Sequence, residues 1–264
     1  MNDAAPTALI TGGTVGIGRE IARQMLNKGY KILIGARRAE ILESARTELA
    51  AETGTSVDNI LTMRADVAEE ADIDKIVEFA VEQWGKIDVL VNNAGIFDDE
   101  TFLTLKTETW DSVLSVNLRA PFILTQRVGR VMVEQGHGSI VNLASIDGHR
   151  VDGTYPAYNV SKAGLLHLTR QAAVELGPLG VRCNSVSPGW TRTPMVEEAL
   201  TESQLQYMSN NFERVPIQRM VSSEEVSRAV IFLAGEEGSG ITGTDIVVDG
   251  GAMANLWLLE TLPE

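Results

Sequence analysis

Short apolar runs alternate along the chain with longer segments in which apolar residues recur at helical spacing. The runs that we predict to be buried strands are Thr7–Thr11, Lys31–Ala36, Ile60–Arg64, Val89–Asn92, Ser139–Leu143, Arg182–Ser187 and Ile246–Asp249. The segments with a helical period are Ile17–Lys28, Ala39–Glu52, Glu70–Trp84, Trp110–Glu134, Tyr158–Leu176 and Glu224–Ala234. Because continuously apolar strands alternate with helices, the pattern predicts an α/β fold, a doubly wound parallel sheet with helices on both faces.

Nothing in the sequence marks a domain boundary. No linker rich in Pro, Gly and Ser and no internal repeat interrupts the chain, so we predict one domain over residues 1–264. The alternation breaks in Thr191–Met220, which follows Pro188-Gly189. This segment is either a substrate lid or a surface helix pair without a role. We favour a lid over residues 191–220 because the segment leaves a strand's carboxyl end, where such sheets bind ligands.

Composition argues against two kinds of partner. Of the 264 residues 44% are hydrophobic, enough for a sizeable core, and the net charge is -14. That charge disfavours nucleic-acid phosphate and anionic membrane surfaces as partners. No apolar run is long enough to cross a bilayer, and the first residues lack the regions of a signal peptide. We therefore expect a soluble cytoplasmic protein.

Cysteine and histidine give no sign of a metal site. Cys183 is the single cysteine, so neither an intrachain disulfide nor a cysteine cluster can form, and we predict a packed strand residue. The three histidines, His137, His149 and His167, show no metal-ligand spacing. We expect no catalytic metal.

Tyr158 and Lys162 are the most informative pair of residues. Because they are four positions apart, a helix places them on one face, one turn from each other. A nearby cation favours the phenolate form of tyrosine, so the pair is a candidate for proton exchange with a carbonyl oxygen. The spacing alone also arises by chance. Tyr155, for comparison, has Asn159 as its fourth neighbour.

A glycine-rich turn, Thr11–Gly18, joins the first predicted strand to the first helix. Gly12 permits a tight turn, Gly16 lets a phosphate approach the backbone, and Gly18 allows close helix packing. The helix N-terminus that follows offers amide donors and a favourable dipole to a pyrophosphate. The Gly-x3-Gly-x-Gly spacing is also compatible with a mere turn, and its position between a strand and a helix favours the phosphate site.

Further polar residues follow predicted strands. Asp66-Val67 ends the third strand, where Asp66 either accepts from an adenine amino group or caps the next helix. Asn92-Asn93-Ala94-Gly95 forms either a cofactor wall or a turn after the fourth strand. Ser145 follows the fifth strand, where a loop serine without a role is the ordinary interpretation. Asn117 lies in an apolar helical segment and needs partners if buried, although a solvated asparagine is the default.

Taken together, these motifs resemble those of the short-chain dehydrogenases/reductases in order and spacing, from about Thr7 to Gly251. The chain is most similar to the branch that includes 3-oxoacyl-carrier-protein reductases and ketoreductases. The resemblance implies a seven-stranded Rossmann-type sheet and hydride transfer between a nicotinamide and a ketone or secondary alcohol. The matching positions are Thr11–Gly18, Asp66, Asn92–Gly95, Asn117, Ser145, Tyr158, Lys162, Pro188-Gly189 and Thr242–Gly251.

The resemblance also implies roles for individual residues. Tyr158 exchanges a proton with the substrate oxygen, and Lys162 lowers the pKa of Tyr158 and holds the nicotinamide ribose. Ser145 orients the reacting oxygen, and Asn117 holds a water that links Lys162 to solvent. The implied cofactor-binding residues are Gly12, Thr14, Gly16, Ile17, Gly18, Arg37, Arg38, Asp66, Val67, Asn93, Ala94, Gly95, Tyr158, Lys162, Pro188, Gly189, Thr191 and Thr193.

The end of the second strand bears on the choice between NADP and NAD. In the family an acidic residue there selects NAD by binding the ribose 2′-hydroxyl, but this position is Ala36, followed by Arg37 and Arg38. Arg37 can pair with a 2′-phosphate, and no carboxylate repels it. Val15 lacks the basic side chain that some NADP-using relatives carry. The resemblance therefore favours NADP(H), with NAD(H) as the alternative.

The natural substrate is less well defined. We expect Ile146–His149, Val151–Tyr155 and Trp190 to border it, which suggests a neutral ketone or secondary alcohol. Asp147 and His149 either bind substrate hydroxyls or face water. A 3-oxoacyl-carrier-protein reductase is the alternative activity, although the acidic chain offers no evident basic patch to an acidic carrier. A non-catalytic cofactor-binding scaffold is a second alternative.

Assembly is also an expectation from the resemblance. It implies a homotetramer built through the long helices Trp110–Glu134 and Tyr158–Leu176 and through the last strand. The tail Ala252–Glu264 contains Leu256-Trp257-Leu258-Leu259, and an apolar tail is rarely left in water. We expect this tail to pack on a neighbouring subunit.

Overall fold

The computed structural model describes residues 5–255 of the chain. Its strands are β1 (Thr7–Thr11), β2 (Lys31–Ala36), β3 (Ile60–Arg64), β4 (Val89–Asn92), β5 (Gly138–Leu143), β6 (Val181–Pro188), β7 (Thr191–Arg192), β8 (Val221–Ser222) and β9 (Asp245–Val248). Its α-helices are α1 (Gly16–Asn27), α2 (Ala39–Thr53), α3 (Glu70–Trp84), α4 (Thr107–Leu114), α5 (Ala120–Gln135), α6 (Pro156–Leu176), α7 (Pro194–Ala199), α8 (Glu202–Asn210) and α9 (Ser223–Ala234).

Seven of these strands form one parallel sheet in the order β3-β2-β1-β4-β5-β6-β9. The chain winds outward from β1 to β3 and then returns to place β4 on the other side of β1. The strand order therefore reverses between β1 and β4, and such a reversal leaves a crevice at the carboxyl ends of the strands. The predicted doubly wound, seven-stranded sheet is confirmed.

Each face of the sheet is covered by helices, which explains why the strands are apolar throughout. Ile10 and Ile34 pack into a core on one face together with residues of α1, α2 and α9. Leu9 and Leu90 point to the opposite face, into a second core with residues of α3, α5 and α6. Every residue of β1 and β4 is buried, as expected of strands enclosed on both sides.

The helix predicted over Trp110–Glu134 is divided into three parts. A π-helical turn, Ser115–Arg119, separates α4 from α5. Pro121 supplies a physical reason, since it has no N–H to donate to the carbonyl of Asn117 four residues earlier. Asn117 itself lies in the widened turn and is buried.

The excursion at 191–220 has secondary structure and a small core of its own. Strands β7 and β8 pair in parallel and close it at its two ends. Helices α7 and α8 lie between them, and Met208, Phe212 and Met220 form a separate hydrophobic cluster. The excursion therefore packs as a unit beside the carboxyl edge of the main sheet.

Only the first part of the predicted tail can be described. Ala252–Ala254 form a 3-10 turn after β9, whereas the apolar residues Leu256–Leu259 lie outside the described residues. Among the helices of residues 5–255, none is both long and apolar enough to cross a membrane.

Candidate active site

The carboxyl ends of the central strands open into a cavity of about 820 Å³. Every residue predicted to bind a cofactor lines this cavity, and so do three of the four predicted catalytic residues, Ser145, Tyr158 and Lys162. The cofactor-binding set is Gly12, Thr14, Gly16, Ile17, Gly18, Arg37, Arg38, Asp66, Val67, Asn93, Ala94, Gly95, Tyr158, Lys162, Pro188, Gly189, Thr191 and Thr193. The fold thus gathers residues from positions 12 to 198 of the chain into one site.

The glycine-rich turn is held tightly against the wall formed by Asn93. The Asn93 side-chain amide donates to the carbonyl oxygens of Thr11 (2.9 Å) and Gly12 (3.1 Å). A Cβ at Gly18 would lie 2.4 Å from both the Asn93 nitrogen and the Gly12 oxygen, so only glycine fits there. Gly12 has a φ of +67°, which glycine adopts without strain.

The N-terminus of α1 faces the same cavity. Its N-cap residue is Val15, and no side chain caps the helix. The first amide groups of the helix are therefore available to an anionic group, which the helix dipole also favours. The turn and the helix together form a cradle of the size and polarity that a pyrophosphate requires.

Lys162 is buried beneath the cavity floor, with 4% of its surface exposed. Its ammonium donates to the carbonyl oxygen of Leu143 at 2.7 Å and lies 5.4 Å from the centroid of the Tyr158 ring. Helix α6 places both side chains on one face, as the four-residue spacing predicted. Burial lowers the pKa of Lys162 to about 8, while the nearby Asp147 carboxylate acts in the opposite direction.

Tyr158 shows a pKa shift opposite to the one expected from its lysine neighbour. Enclosure by the cavity walls raises the pKa of the phenol to about 12; a hydrogen bond with Ser145 lowers it, and the Asp147 charge raises it. Desolvation of the phenolate is the largest contribution, so the net shift is upward, and a lowering of this pKa by Lys162 stays a prediction. Tyr158 is therefore protonated at neutral pH and can donate a proton.

Ser145 organises the turn that follows β5. Its hydroxyl oxygen accepts from the amide of Asp147 at 3.1 Å and so caps the turn Ile146–Gly148. Asp147 lines the cavity, and burial, followed by the nearby Asp152 carboxylate, raises its pKa to about 6. His149 points elsewhere and contacts Asp245 (2.8 Å), so it does not border the substrate cavity.

Asn117, the fourth predicted catalytic residue, lies behind the cavity wall with 1% of its surface exposed. Its amide oxygen accepts from the Ile96 amide (2.9 Å), and its nitrogen donates to the Ile96 carbonyl (2.7 Å). The same nitrogen donates to the Ser161 hydroxyl (3.1 Å). The default interpretation of a solvated asparagine is therefore wrong, and Asn117 ties two segments of the site together.

Asp66 lies two residues beyond the end of β3, beside the cavity. Its carboxylate accepts from the amide of Ala68 at 3.0 Å, and the N-cap position of α3 is Glu69. The alternative that Asp66 caps this helix is therefore wrong. The Asp66 turn instead shapes the cavity near Arg37 and Arg38, which are exposed and form no ion pair with another described residue.

One buried carboxylate was missed by sequence reasoning. Asp98 is 2% exposed and accepts from the backbone amides of Ala157 (3.3 Å) and Tyr158 (2.9 Å) at the start of α6. In the sequence it stands in the acidic run Asp98-Asp99-Glu100, which is typical of an exposed loop. The pattern holds no signal that separates Asp98 from its neighbours, because its partner lies about sixty residues away.

The cysteine and histidine side chains in the described part of the chain are not arranged as metal ligands. No group of three or more His, Cys, Asp or Glu side chains among residues 5–255 is placed to hold a metal ion. Cys183 is buried in β6 as predicted, and burial raises the pKa of its thiol to about 12.

Comparison with known proteins extends the match to nearly the whole chain. A family profile described as enoyl-(acyl carrier protein) reductase matches residues 12–253. The 3-oxoacyl-[acyl-carrier-protein] reductase of Thermotoga maritima is 37% identical over 243 residues, covering 92% of this chain and 96% of the relative. The 2-(R)-hydroxypropyl-CoM dehydrogenase of Xanthobacter autotrophicus is 38% identical over 247 residues, covering 92% and 96% of the two chains.

A solved structure gives the same result for the fold. A variant of actinorhodin polyketide ketoreductase, solved with NADPH, superimposes with a TM-score of 0.88 at 35% sequence identity. The superposition covers 94% of this chain and 97% of the ketoreductase. The fold and the sequence are therefore similar over nearly the same residues.

The raised pKa of Asp147 predicts a stability gain on neutralisation. Its folded pKa of about 6 exceeds the value of 3.8 for an unperturbed carboxyl group, so the folded state loses stability as pH rises from about 4 to about 6. After allowance for partial exposure, Asp147→Asn is expected to stabilise the protein by about 1–2 kcal/mol at pH 7.5. Thermal unfolding at pH 7.5 and 4.5 measures this.

The gain is expected to shrink to about a third at pH 4.5, where Asp147 is protonated in the folded protein but still largely ionised in the unfolded chain. Asp99→Asn is the control. It neutralises an exposed aspartate on a different loop, and we expect it to change the stability little at either pH. An Asp147→Asn variant that is destabilised at pH 7.5 would contradict the assignment of a desolvated carboxylate.

Proposed function

The chain belongs to the short-chain dehydrogenase/reductase family, and on that premise we propose that Tyr158 is its general acid and base. The protein is an oxidoreductase that interconverts a carbonyl and a hydroxyl group with a nicotinamide cofactor. The observation that carries the assignment of Tyr158 is its position in the cavity together with Ser145, one helical turn from the buried ammonium of Lys162.

In the reductive direction the chain's own residues handle the proton. The chemistry that a bound nicotinamide would supply is a hydride for the carbonyl carbon. The Ser145 hydroxyl binds and orients the carbonyl oxygen, and the protonated phenol of Tyr158 donates its proton to that oxygen. Oxidation reverses both transfers, so Tyr158 then accepts the hydroxyl proton. The Lys162 ammonium stabilises the negative charge that develops on Tyr158.

The residues around the cavity fit such a cofactor. The glycine turn and the uncapped N-terminus of α1 would hold the pyrophosphate, and Asp66 and Val67 would border the adenine. Pro188, Gly189, Thr191 and Thr193 also line the cavity, with Thr193 next to Gly16 of the glycine turn, and would border the nicotinamide. Asn117 would keep Ile96 and the wall Asn93–Gly95 in place and hold the water that resupplies protons.

The substrate that the cavity supports best is a neutral ketone or secondary alcohol. Its substrate end is lined by the aromatic residues Tyr155 and Trp190 and by the carboxylates of Asp147, Asp152 and Glu198. Lys162 is the one basic side chain there among the described lining residues. This charge pattern disfavours an anionic carrier substrate, although a relative named as a 3-oxoacyl-carrier-protein reductase keeps that activity as the alternative.

The excursion 191–220 is proposed as the substrate lid. Its residues Met195, Val196 and Glu198 border the cavity on the side facing Tyr158. Since β7 and β8 anchor both ends of the excursion, movement of α7 can open or cover the cavity without displacing the main sheet.

Tyr158→Phe tests the proposed function. The variant lacks the proton that the carbonyl oxygen receives, so kcat is expected to fall by about 10²–10⁴-fold while cofactor affinity stays within a few-fold. Nicotinamide absorbance is followed with NADPH and NADH against cyclic ketones, sugar-like ketones, β-keto esters and acyl thioesters. Tyr30→Phe removes a phenol outside the cavity and serves as the control.

Retention of full activity by Tyr158→Phe would refute the assignment. Tight cofactor binding without turnover of any ketone or alcohol, in either direction, would favour the non-catalytic scaffold instead. Preferred turnover of acyl thioesters would select the carrier-protein reductase.

NADP(H) is proposed as the preferred cofactor. Arg37 and Arg38 stand exposed at the cavity edge, and Ala36 replaces an acidic residue that would repel a 2′-phosphate. In Arg37→Glu the charge at that edge is reversed, so the ratio of kcat/KM for NADPH to that for NADH is expected to fall at least about tenfold. Arg150→Glu makes the same charge change outside the cavity. An unchanged ratio in Arg37→Glu would exclude this role.

A homotetramer is the proposed assembly. Three apolar side chains on the outward faces of the two long helices support it: Phe122 (49% exposed), Val160 (49%) and Val174 (72%). Size-exclusion chromatography with light scattering is expected to give four times the chain mass of 28.6 kDa. Removal of residues 252–264 is expected to weaken the assembly. A full-length chain with the mass of a monomer would contradict the proposal.

A further inference from the structure

Three consecutive residues after the wall Asn93–Gly95 each contact a different part of the candidate site. The backbone of Ile96 exchanges two hydrogen bonds with the side chain of Asn117. The ring of Phe97 meets the ring of Tyr155 edge to face, with 6.1 Å between the centroids. The carboxylate of Asp98 accepts from the amides that begin helix α6.

Helix α6 has no cap of its own. Its N-cap residue is Tyr155, which makes no side-chain cap, and Pro156 has no N–H to offer. The next two amides belong to Ala157 and Tyr158, and Asp98 accepts from both, at 3.3 and 2.9 Å. A carboxylate at a helix N-terminus is favoured by the helix dipole, which explains how a charge can be 98% buried there.

The peptide groups of Tyr158 are thereby fixed on both sides. The Tyr158 amide donates to Asp98, while its carbonyl accepts from the Ser161 hydroxyl at 2.7 Å. Ser161 in turn accepts from Asn117 at 3.1 Å. Asp98 lies in the segment that follows the cofactor wall, and Asn117 is hydrogen-bonded to Ile96 of the same segment. Hydrogen bonds therefore connect the wall to the backbone of Tyr158.

We propose that Asp98 is a positioning residue that holds Tyr158 at a fixed place relative to the wall Asn93–Gly95. Asp98 acts through the backbone of Tyr158 and does not itself line the cavity. The proposal rests on the proposed function, since the distance it fixes is that between the proton donor and the cofactor wall. A displacement of about 1 Å at a reacting group is enough to slow catalysis by about 10²-fold.

A comparison of kcat with cofactor affinity separates positioning from simple stabilisation. Asp98 contacts Tyr158 through its backbone amide, whereas the carboxylate that raises the pKa of the phenol is that of Asp147. Loss of the Asp98 contact is therefore expected to lower kcat of the folded protein while the pH dependence of reduction keeps its shape.

The experiment compares Asp98→Asn, Asp98→Ala and Asp99→Asn in the full-length protein. Asp99 is the adjacent aspartate and is exposed, so its variant is the matched control. Hydrogen exchange of peptides spanning residues 155–160, read by mass spectrometry, reports on the amides of Ala157 and Tyr158 without any need for turnover. Asp98→Ala is expected to exchange these amides at least about tenfold faster, and Asp98→Asn, which keeps one acceptor oxygen, less so.

Turnover and cofactor binding complete the comparison. For Asp98→Ala we expect kcat to fall at least about tenfold, partial recovery in Asp98→Asn, and a cofactor Kd unchanged within about threefold. If the alanine variant fails to fold, Asp98→Asn carries the test alone. Unchanged exchange and kcat in Asp98→Asn and Asp98→Ala would overturn the proposal.

Two further outcomes are decisive. A fall in kcat explained entirely by a smaller folded fraction would leave Asp98 a structural cap and overturn the positioning role. If the wild type turns over no substrate, the proposed function fails, and the exchange of the Tyr158 amide then decides alone whether Asp98 anchors this residue.

Discussion

The buried ammonium of Lys162 is the constraint around which the site is built. A charged lysine with 4% exposure loses most of its hydration, so protein groups must replace the hydrogen bonds that water would make. Here its ammonium donates a hydrogen bond of 2.7 Å to the carbonyl of Leu143, the last residue of β5. That bond fixes helix α6 against the end of β5, and with it Tyr158, one turn earlier on the same face. The lowered pKa of Lys162 indicates that this hydrogen bond does not fully replace the lost hydration. Such an ammonium gains by contact with a negative charge that develops nearby.

The neighbouring polar groups follow from this arrangement. Helix α6 can approach the strand ends only if its first amides find acceptors, and Asp98 supplies them from the segment after β4. The π-helical turn between α4 and α5 brings Asn117 inward, where its amide pairs with Ile96 and Ser161. Asp98 and Asn117 are thereby both hydrogen-bonded, Asp98 to backbone amides and Asn117 to the Ile96 backbone and the Ser161 hydroxyl. The cavity lies in front of this network, at the reversal of strand order.

Much of this arrangement was predictable from the sequence, for physical reasons. Strands enclosed on both faces must be apolar throughout, so β1 and β4 are visible as short runs, and the carboxyl-end rule then places the glycine turn, Ser145 and Tyr158 at one edge. The sequence could not show which of the opposing effects on the pKa of Tyr158 is larger. A cation four residues away suggested a lowered pKa, whereas the structure shows that desolvation dominates and raises it to about 12. Asp98 was missed because its function depends on a contact across about sixty residues.

We propose that the cavity holds a nicotinamide cofactor with its reactive ring beside Tyr158. A crystal structure of the protein grown with NADPH tests this proposal. We expect the pyrophosphate at the N-terminus of α1, the 2′-phosphate beside Arg37, and the nicotinamide between Tyr158 and the segment Pro188–Thr193. A nicotinamide ring outside this cavity, or a pyrophosphate that does not contact the glycine turn, would contradict it.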